Sequence, residues 1–350
     1  MNNILVYSAV IPNKDNRGGP TGLIWEFLEV FKEYGFHFHI EMYKNEKKYN
    51  KLGVFFKKNT ALDYKKFEQI LVYPSYLIFS LPRKERKKAI VLGPDASTLL
   101  YARFEKNSSC MRFLLRSIFL KKWFYFYERF YLSSCNKNIV VGKNDSRWLK
   151  AAHSKFKDKI SYLTHPVLSS IKESMNNRDL YERSQEKKIL VFSGDMSKKY
   201  VGAFFEDFAD LVSELQNDIL IVGKNNLWIY ELFLSKDKLN VIYKPWVDDY
   251  SDICNPFKHV HVAPIIAGAG TKNRSISACA LGVPLLSTSI GYENICYGKP
   301  VNINYRIKCA RDVVDIIDSI SPSYDKQKLI EYVNRVNSRF ELEILKIFRK

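Results

Sequence analysis

Two glycines, a threonine and two cationic side chains lie close together between a predicted strand and a predicted helix. Gly268 and Gly270 allow the backbone to turn tightly and to approach a ligand. A helix start offers free N–H groups and a partial positive charge of roughly half a unit, which suits a phosphate. Lys272 and Arg274 add two full charges in the first turn, where cations are unfavourable unless an anion joins them. These residues predict a diphosphate site, and Thr271 is predicted to cap the helix.

A plain strand-to-helix turn with two solvated cations is the alternative interpretation of this segment. The residues that follow favour the ligand site. Ala278–Ala280 are small enough to let the predicted helix lie close to a sheet, and two further turns come after it, Gly282–Pro284 and Gly291–Glu293.

Strand-like apolar runs alternate with helix-like stretches along the whole chain, and the glycine segment belongs to this alternation. Such alternation predicts parallel sheets covered by helices. The pattern restarts after a polar stretch, which predicts two α/β domains with a cleft at the carboxyl ends of their strands. The predicted parts are an N-terminal domain over residues 1–170, a linker over 171–188, a second domain over 189–324 and a final helix over 325–350.

The composition limits the class of protein. Lysine and arginine number 55 against 37 acids, a formal net charge of +18. This excess favours a polyanionic partner, such as nucleic acid, an anionic membrane face or a phosphorylated ligand. The six cysteines form no C-x-x-C pair, which predicts a reducing compartment and no metal site. The sequence has neither a signal-peptide pattern nor an apolar run of about 18 residues, so a cytoplasmic location is expected.

The glycine segment and its continuation resemble the donor-binding segment of GT-B glycosyltransferases of family 4, which are mostly retaining. That family combines a Gly-x-Gly-Thr-Lys loop, a helix, a Gly-x-Pro, a strand and a Gly-x-Glu. Here these elements correspond to Gly268–Lys272, Gly282–Pro284 and Gly291–Glu293. Weaker resemblance covers most of the chain. It implies the GT-B fold, with two Rossmann-like domains facing a central cleft and a last helix that crosses back to the first domain.

The resemblance also implies roles for particular residues. Lys272, Arg274 and Asp95 are the expected catalytic residues. The two cations would stabilise the departing diphosphate, and Asp95 would face the donor sugar, with a helix cap or turn residue as its alternative role. The residues expected to bind the donor are Gly18, Gly19, Gly194, Trp246, Val247, Gly268, Gly270, Thr271, Lys272, Arg274, Ser277 and Glu293.

The chain departs from the family pattern at two places. Many members carry two glutamates in the donor segment, and their positions fall on Ala269 and Ser277 here. Ser277 can hydrogen-bond a hydroxyl without the strength of a charged acceptor. The arginine and lysine that follow the first strand of the second domain are replaced by a loop in which Lys198 or Lys199 is the substitute. These departures leave an inactive relative as an alternative.

Together these observations predict a glycosyltransferase that moves a sugar from a nucleoside-diphosphate sugar to a bacterial cell-surface glycan, of the lipopolysaccharide, capsule or O-antigen type, with retention. Neither a metal nor a bound cofactor is expected, because the protein supplies the positive charge and the donor is a co-substrate. The alternatives are a catalytically inactive scaffold of a glycan assembly complex and a nucleotide-sugar epimerase. No nucleic-acid-recognition motif accompanies the charge, so nucleic acid is not an expected partner.

A predicted helix over Met111–Leu132 mixes aromatic and basic residues. Such a helix can lie on an anionic membrane face, which predicts peripheral association with the inner face of the cell membrane. A core helix whose long cationic side chains reach water is the alternative interpretation.

Overall fold

The computed structural model describes residues 3–14, 20–43, 62–93, 95–108, 110–176, 187–202, 204–238, 240–295, 304–307, 311–317, 319–320 and 324–349. Gly18 and Gly19, which the sequence places near the donor, lie outside the described residues.

The first domain is built on a parallel sheet with helices on both faces. Its strands are β1 (Asn3–Ser8), β2 (His37–Met42), β3 (Gln69–Tyr73), β4 (Ala89–Leu92), β5 (Lys137–Val140) and β6 (Ile160–Tyr162), and its helices are α1 (Pro20–Glu33), α2 (Ser97–Lys106), α3 (Met111–Ser134) and α4 (Lys143–Ala152). Helix α5 (Ser169–Asn176) follows β6, and its buried residues pack in a core of the second domain. The strand order is β2-β1-β3-β4-β5-β6, and every pair is parallel.

The second domain repeats this design. Its strands are β7 (Ile189–Ser193), β8 (Asp218–Val222), β9 (Val241–Lys244), β10 (His259–Ala263), β11 (Leu285–Ser287) and β12 (Asn304–Arg306), and its helices are α6 (Lys198–Val201), α7 (Phe204–Glu214), α8 (Leu227–Leu234), α9 (Asn273–Ala280), α10 (Arg311–Ile317) and α11 (Lys326–Phe348). The strand order is β12-β11-β10-β7-β8-β9, again with parallel pairs. The prediction of two parallel-sheet α/β domains is therefore confirmed.

Each sheet is covered on both faces, which explains the nearly continuous apolar runs of the central strands. In β1, for example, Leu5 and Tyr7 pack into one core, whereas Ile4 and Val6 pack into another on the opposite face. A charged residue in such a strand would be buried whichever way it pointed.

The final helix α11 contacts both domains. Tyr332 and Val336, in its first half, pack in a core of the second domain, while Phe340 and Phe348 pack against the first domain. Asp325 caps this helix by accepting a hydrogen bond from the Lys328 N–H at 3.1 Å. One long element thus helps to fix how the two domains face each other.

The stretch between the domains differs from the sequence expectation at its start. Residues 171–176 of the predicted linker belong to α5, whose apolar residues Ile171 and Met175 are buried. A short amphipathic helix of eight residues gave too little periodicity to distinguish it from a polar loop. The exact domain boundaries stay a prediction.

Candidate functional site

A cleft with a cavity volume of about 500 Å³ lies between the two domains, at the carboxyl ends of both sheets. Of the residues predicted to bind or act on a donor, the ones that line it are Asp95, Gly194, Trp246, Val247, Gly268, Thr271, Lys272, Arg274 and Ser277. The tertiary structure therefore brings together side chains that lie far apart in sequence. Gly270 and Glu293 are not part of the lining, because both are bonded to residues of the first domain.

The loop between β10 and α9 depends on its glycines. Gly270 has a φ of 67°, in the left-handed region that glycine adopts without strain. A Cβ atom at Gly268 would lie 2.9 Å from Lys272 Nζ, closer than non-bonded atoms approach. A side chain at position 268 would therefore displace the ammonium group of Lys272.

Lys272 occupies the N-cap position of α9, and its side chain folds back along the loop. Its ammonium group donates to the carbonyl oxygens of Ala269 at 2.6 Å and Gly270 at 3.3 Å. Desolvation lowers the pKa of Lys272, and the carboxylate of Asp95 acts most strongly in the opposite direction. Among the described residues, no carboxylate lies within ion-pair distance of this ammonium group. The cleft wall thus holds a desolvated cation bonded to neutral oxygens.

Arg274 is the second residue of α9 and faces the same cleft. Its guanidinium group packs over the ring of Tyr250, at 5.4 Å from the centroid. The Tyr250 hydroxyl lies 3.1 Å from Ser193 Oγ and 3.1 Å from His261 Nδ1, so the aromatic ring is itself held in place. These contacts orient Arg274 towards the cleft, beside Gly194.

The predicted cap of α9 is wrong. The Thr271 hydroxyl donates to the carbonyl oxygen of Val141, at the end of β5 in the other domain. Lys272 takes the N-cap position and makes no side-chain capping bond. The loop lies against the first domain, so the Thr271 hydroxyl bonds there, and the helix begins one residue later than predicted.

Ser277 lines the cleft, but its hydroxyl proton is used locally. Ser277 Oγ donates to the carbonyl oxygen of Asn273, one turn earlier, at 3.0 Å. The oxygen keeps lone pairs that can accept a hydrogen bond from a ligand hydroxyl. A carboxylate at this position would offer a charged acceptor, so any contact made by Ser277 is weaker.

Asp95 lies opposite Lys272 on the wall formed by the first domain. Its side chain is exposed along the cleft, yet protein surrounds the cleft on most sides. Desolvation raises the pKa of Asp95 to about 7, and Lys272 opposes this shift. Its carboxyl group therefore changes charge near neutral pH.

Asp145 is a residue of the candidate site that was not predicted from the sequence. It is fully buried at the start of α4, and its Oδ1 atom accepts hydrogen bonds from the Ala96 N–H and the Gly270 N–H, both at 2.9 Å. Desolvation raises its pKa, while these two backbone donors lower it. The Gly270 N–H, predicted to face a diphosphate, is thus occupied by a carboxylate of the first domain.

Arg103 makes the second bond across the cleft. Its guanidinium group binds both carboxylate oxygens of Glu293, at 2.6 and 2.5 Å, and also donates to the Gly268 carbonyl at 2.5 Å. The Asn144 side chain adds a donor to Glu293 at 2.7 Å. Glu293, 7% exposed, therefore lies behind the glycine loop and is held by the opposite domain. We call Arg103, Asn144, Asp145 and Glu293 the cross-cleft network.

One signal in the sequence pointed to part of this network. Asn144 and Asp145 come shortly after the buried strand β5, near the edge at which parallel sheets carry binding residues. Arg103 gave no signal, because it is one cation among many on a helix. Within the described ranges, three or more potential metal ligands nowhere cluster. The described helices include none that is long and apolar enough to cross a bilayer.

Comparisons with known proteins identify the fold. No family model matches the chain. No curated protein matches it either. Among solved structures, sucrose-phosphate synthase from Thermosynechococcus elongatus aligns with a TM-score of 0.67 at 11% identity, over 99% of this chain and 97% of its own.

Two further solved structures align over similar lengths. WaaG, a glycosyltransferase involved in lipopolysaccharide biosynthesis, aligns with a TM-score of 0.55 at 11% identity, over 98% of this chain and 92% of its own. HepE from Anabaena, in complex with UDP-glucose, aligns with a TM-score of 0.53 at 9% identity, over 99% of this chain and 95% of its own. The predicted GT-B fold, two parallel-sheet domains facing a cleft, is thus confirmed.

Proposed function

We propose that this chain is a glycosyltransferase of the retaining family 4 type, which moves a hexose from a nucleoside-diphosphate sugar to a bacterial cell-surface glycan. One observation carries the proposal. Lys272 is a desolvated cation at the start of a helix, it faces the inter-domain cleft, and its described neighbours offer it no carboxylate within ion-pair distance. An anionic ligand such as a diphosphate would complete this arrangement.

The diphosphate would lie between Lys272, Arg274 and the first turn of α9. As the bond between the sugar C1 atom and the phosphate oxygen breaks, negative charge grows on the departing phosphate. Cations and N–H groups held in place before the reaction stabilise that charge without reorganising. With two cations supplied by the protein, the proposed reaction needs neither a metal nor a bound cofactor.

The nucleobase would lie against the loop that follows β9, which also belongs to the second domain. Trp246 is 59% exposed and follows β9 together with Val247. An aromatic ring at a cleft mouth can stack on a base. Gly194, after β7, lets the Arg274 side chain pass close to this loop, because a Cβ atom at this position would lie 2.9 Å from Arg274 Cδ.

The sugar would then face Asp95, and Ser277 would face the ribose. In the proposed reaction the acceptor oxygen bonds to C1, the phosphate oxygen leaves, and the acceptor proton passes to that leaving oxygen on the same face. This course retains the anomeric configuration and requires no protein base. Asp95 would position a sugar hydroxyl.

The solved structures support this choice of chemistry. HepE was crystallised with UDP-glucose and also with UDP and glucose. WaaG and the galactosyltransferase WaaB belong to lipopolysaccharide assembly, and WaaB aligns over 98% of this chain with a TM-score of 0.51. We extend both features to this chain, the donor class and an acceptor of the lipopolysaccharide, capsule or O-antigen type.

Nucleotide binding is the first test. A nucleoside diphosphate at about 100 times its Kd should stabilise the chain by about 2.7 kcal/mol, measured as a rise in Tm. UDP, GDP and CMP, then their sugars, identify the base. Trp246→Ala should weaken the response to the preferred nucleotide, whereas Leu342→Ala, at an exposed apolar residue of α11, should not. A chain that responds to none of these nucleotides is not a transferase of this class.

The inactive scaffold is kept as a second candidate because the Ser277 hydroxyl is bonded to its own helix. It predicts nucleotide binding without turnover. Incubation of labelled donor with membrane lipid extract separates the two, since only a transferase moves the label to the lipid fraction.

The charge of Asp95 should make donor binding depend on pH. With a pKa of about 7, this carboxyl group is neutral below that pH and repels a diphosphate above it. We expect the Kd for the diphosphate to rise severalfold between about pH 6 and about pH 8 in the native chain, more than in Asp95→Asn. The nucleotide's own titration is common to both and cancels in the comparison, made by calorimetry.

The raised pKa of Asp95 also makes the stability of the ligand-free protein depend on pH. Because the folded pKa of Asp95 lies above the ordinary value of 3.8, the folded state binds this proton more tightly than the unfolded chain. Stability without ligand should fall as pH rises between these two values, by more in the native chain than in Asp95→Asn. Parallel pH profiles for the two proteins would contradict the assignment.

A further inference from the structure

Helix α3 exposes a continuous stripe of large apolar side chains. Six residues on one side of this helix are between 52% and 68% exposed: Met111, Leu115, Phe119, Trp123, Phe126 and Phe130. Single exposed apolar residues are common on protein surfaces, but a contiguous stripe marks an interaction site. Among them lie four exposed cations: Arg112, Arg116, Lys122 and Arg129. We call these ten residues the aromatic–basic face.

This face is not an incompletely packed core. At 100° per residue, its members fall in one arc of the helix, and the opposite arc is already buried through Ser117, Glu128 and Leu132. The flanks are occupied too, since Phe124 stacks on Tyr101 of α2 with ring centroids 5.1 Å apart. The helix therefore packs on α2 through its other side, and the fold does not require its aromatic–basic face for packing.

The charges of the face identify what covers it. Glu128 is the one acid in α3, and it is buried, where it accepts hydrogen bonds from the Thr98 N–H at 3.0 Å and the Thr98 hydroxyl at 2.7 Å. The exposed side of the helix thus combines aromatic and aliphatic groups with cations alone. A surface with an apolar interior and an anionic boundary complements both features.

We propose that the aromatic–basic face docks on the surface of an anionic phospholipid bilayer. An amphipathic helix of this composition lies in the plane of the interface, with its apolar side chains about 5–10 Å below the headgroup level. From Met111 to Phe130 the helix extends about 28 Å at 1.5 Å per residue, enough to contact several headgroups. Trp123 and the phenylalanines would lie at the depth at which aromatic residues are enriched in membrane proteins.

A second copy of the chain is a poorer partner for the same face. A two-fold dimer places the face against itself. Its four cations would then oppose four identical cations, with no acid of α3 exposed to pair with them. Anionic headgroups, by contrast, attract the same cations.

The position of α3 relates this surface to the cleft. Helix α2 packs between them: Phe104 of α2 contacts Phe113 of α3, and Arg103 of α2 reaches Gly268 and Glu293. Docking would therefore hold the cleft one helix layer from the membrane. In combination with the proposed function, on which this step rests, the acceptor is a lipid-anchored glycan presented at the bilayer surface.

Vesicle binding tests the docking without requiring catalysis. The full chain should sediment with vesicles of phosphatidylcholine and phosphatidylglycerol, and much less with phosphatidylcholine alone. Added salt should weaken the binding because it screens the charges. The double variant Phe119→Ser, Trp123→Ser should bind roughly tenfold more weakly or worse. The double variant Ile242→Ser, Leu342→Ser, at exposed apolar residues elsewhere, is the matched control and should bind as the native chain does.

Two further measurements test whether α3 itself contacts the lipid. Lys122→Glu should weaken binding more than Lys155→Glu, which changes the net charge equally at an exposed site outside α3. Brominated lipid should quench the fluorescence of Trp123, and Trp123→Phe should lose that quenching while it still binds. Each variant is first checked for native Tm and native nucleotide binding, so a failure of docking is distinguishable from a failure of the proposed function.

The opposite results overturn the proposal. These are no sedimentation with anionic vesicles, equal binding by the Phe119→Ser, Trp123→Ser variant and its control, or unquenched Trp123. A concentration-dependent dimer, seen by light scattering and abolished by the same double variant while vesicles bind nothing, would assign the face to a second copy instead.

Discussion

Replacing Lys272 by methionine is expected to lower kcat/KM for sugar transfer by about 10²–10³-fold, the usual effect of removing one group that stabilises a developing charge. Methionine keeps an unbranched, flexible side chain of similar length and removes the ammonium group. In the structure that group is desolvated, faces the cleft and bonds to two carbonyl oxygens of its own loop. Its proposed second partner is the departing diphosphate, whose charge is greatest in the transition state.

The loss should be divided between the kinetic constants in an informative way. If Lys272 acts mainly on the developing charge, kcat falls more than the Kd for the bound nucleotide rises. Radiolabelled donor and lipid acceptor give kcat, and calorimetry with the nucleoside diphosphate gives Kd. Lys346→Met, at an exposed lysine of α11, is the matched control and should retain native activity. A Lys272→Met variant with native kcat/KM would remove the central support of the proposed reaction.

Replacing Arg103 by methionine is expected to open the cleft. Arg103 is 18% exposed and binds Glu293, whose side chain is 5% exposed. Breaking a buried ion pair by removing one partner costs about 3–5 kcal/mol, because the remaining charge stays buried. This pair joins two domains, so the strain can be relieved by separation of the domains rather than by unfolding. About 3 kcal/mol corresponds to a shift of roughly 100-fold in the ratio of closed to open molecules.

Small-angle scattering and donor affinity report this opening. We expect a larger radius of gyration for Arg103→Met than for the native chain, and a weaker Kd for the nucleotide, because the Gly268 carbonyl loses its support. Lys106→Met, on the same helix, is the control and should change neither. Adding Glu293→Gln to Arg103→Met should restore part of the closure, since no charge is then left unpaired. Unchanged scattering and affinity in Arg103→Met would show that the cross-cleft network does not hold the domains together.

The architecture was predictable from the sequence because the patterns that indicate strands and helices involve residues that are close together in the chain. Strands such as Ile189–Ser193 are nearly continuous apolar runs, since both faces of each sheet are covered, and a parallel sheet follows from their alternation with helices. The glycine segment from Gly268 to Arg274 was recognisable for the same reason. The special backbone at Gly270 and the cations at the helix start are properties of neighbouring residues. Five of the residues predicted from this segment and its continuation, Gly268 and Lys272 among them, line one cleft together with Asp95, Gly194, Trp246 and Val247.

The partners of these residues were decided by the tertiary structure alone. Asp145 binds Gly270 across 125 positions of the chain, and Arg103 binds Glu293 across 190. Nothing in a local pattern specifies such pairs, because they depend on how two separately folded domains face each other. The same reason explains why Thr271 bonds to Val141 instead of capping its own helix.

The tertiary structure also decided which side of α3 is exposed. Apolar residues and cations share one arc of α3, so the sequence pattern does not indicate which side of the helix is buried. Packing against α2 settles it, because Tyr101 and Phe104 select the other side. The helices and strands, the glycine loop and the positions of the charges along the chain all follow from local residue patterns. Only the fold decided which charges are desolvated and which apolar side chains remain exposed, since both depend on what other parts of the chain cover.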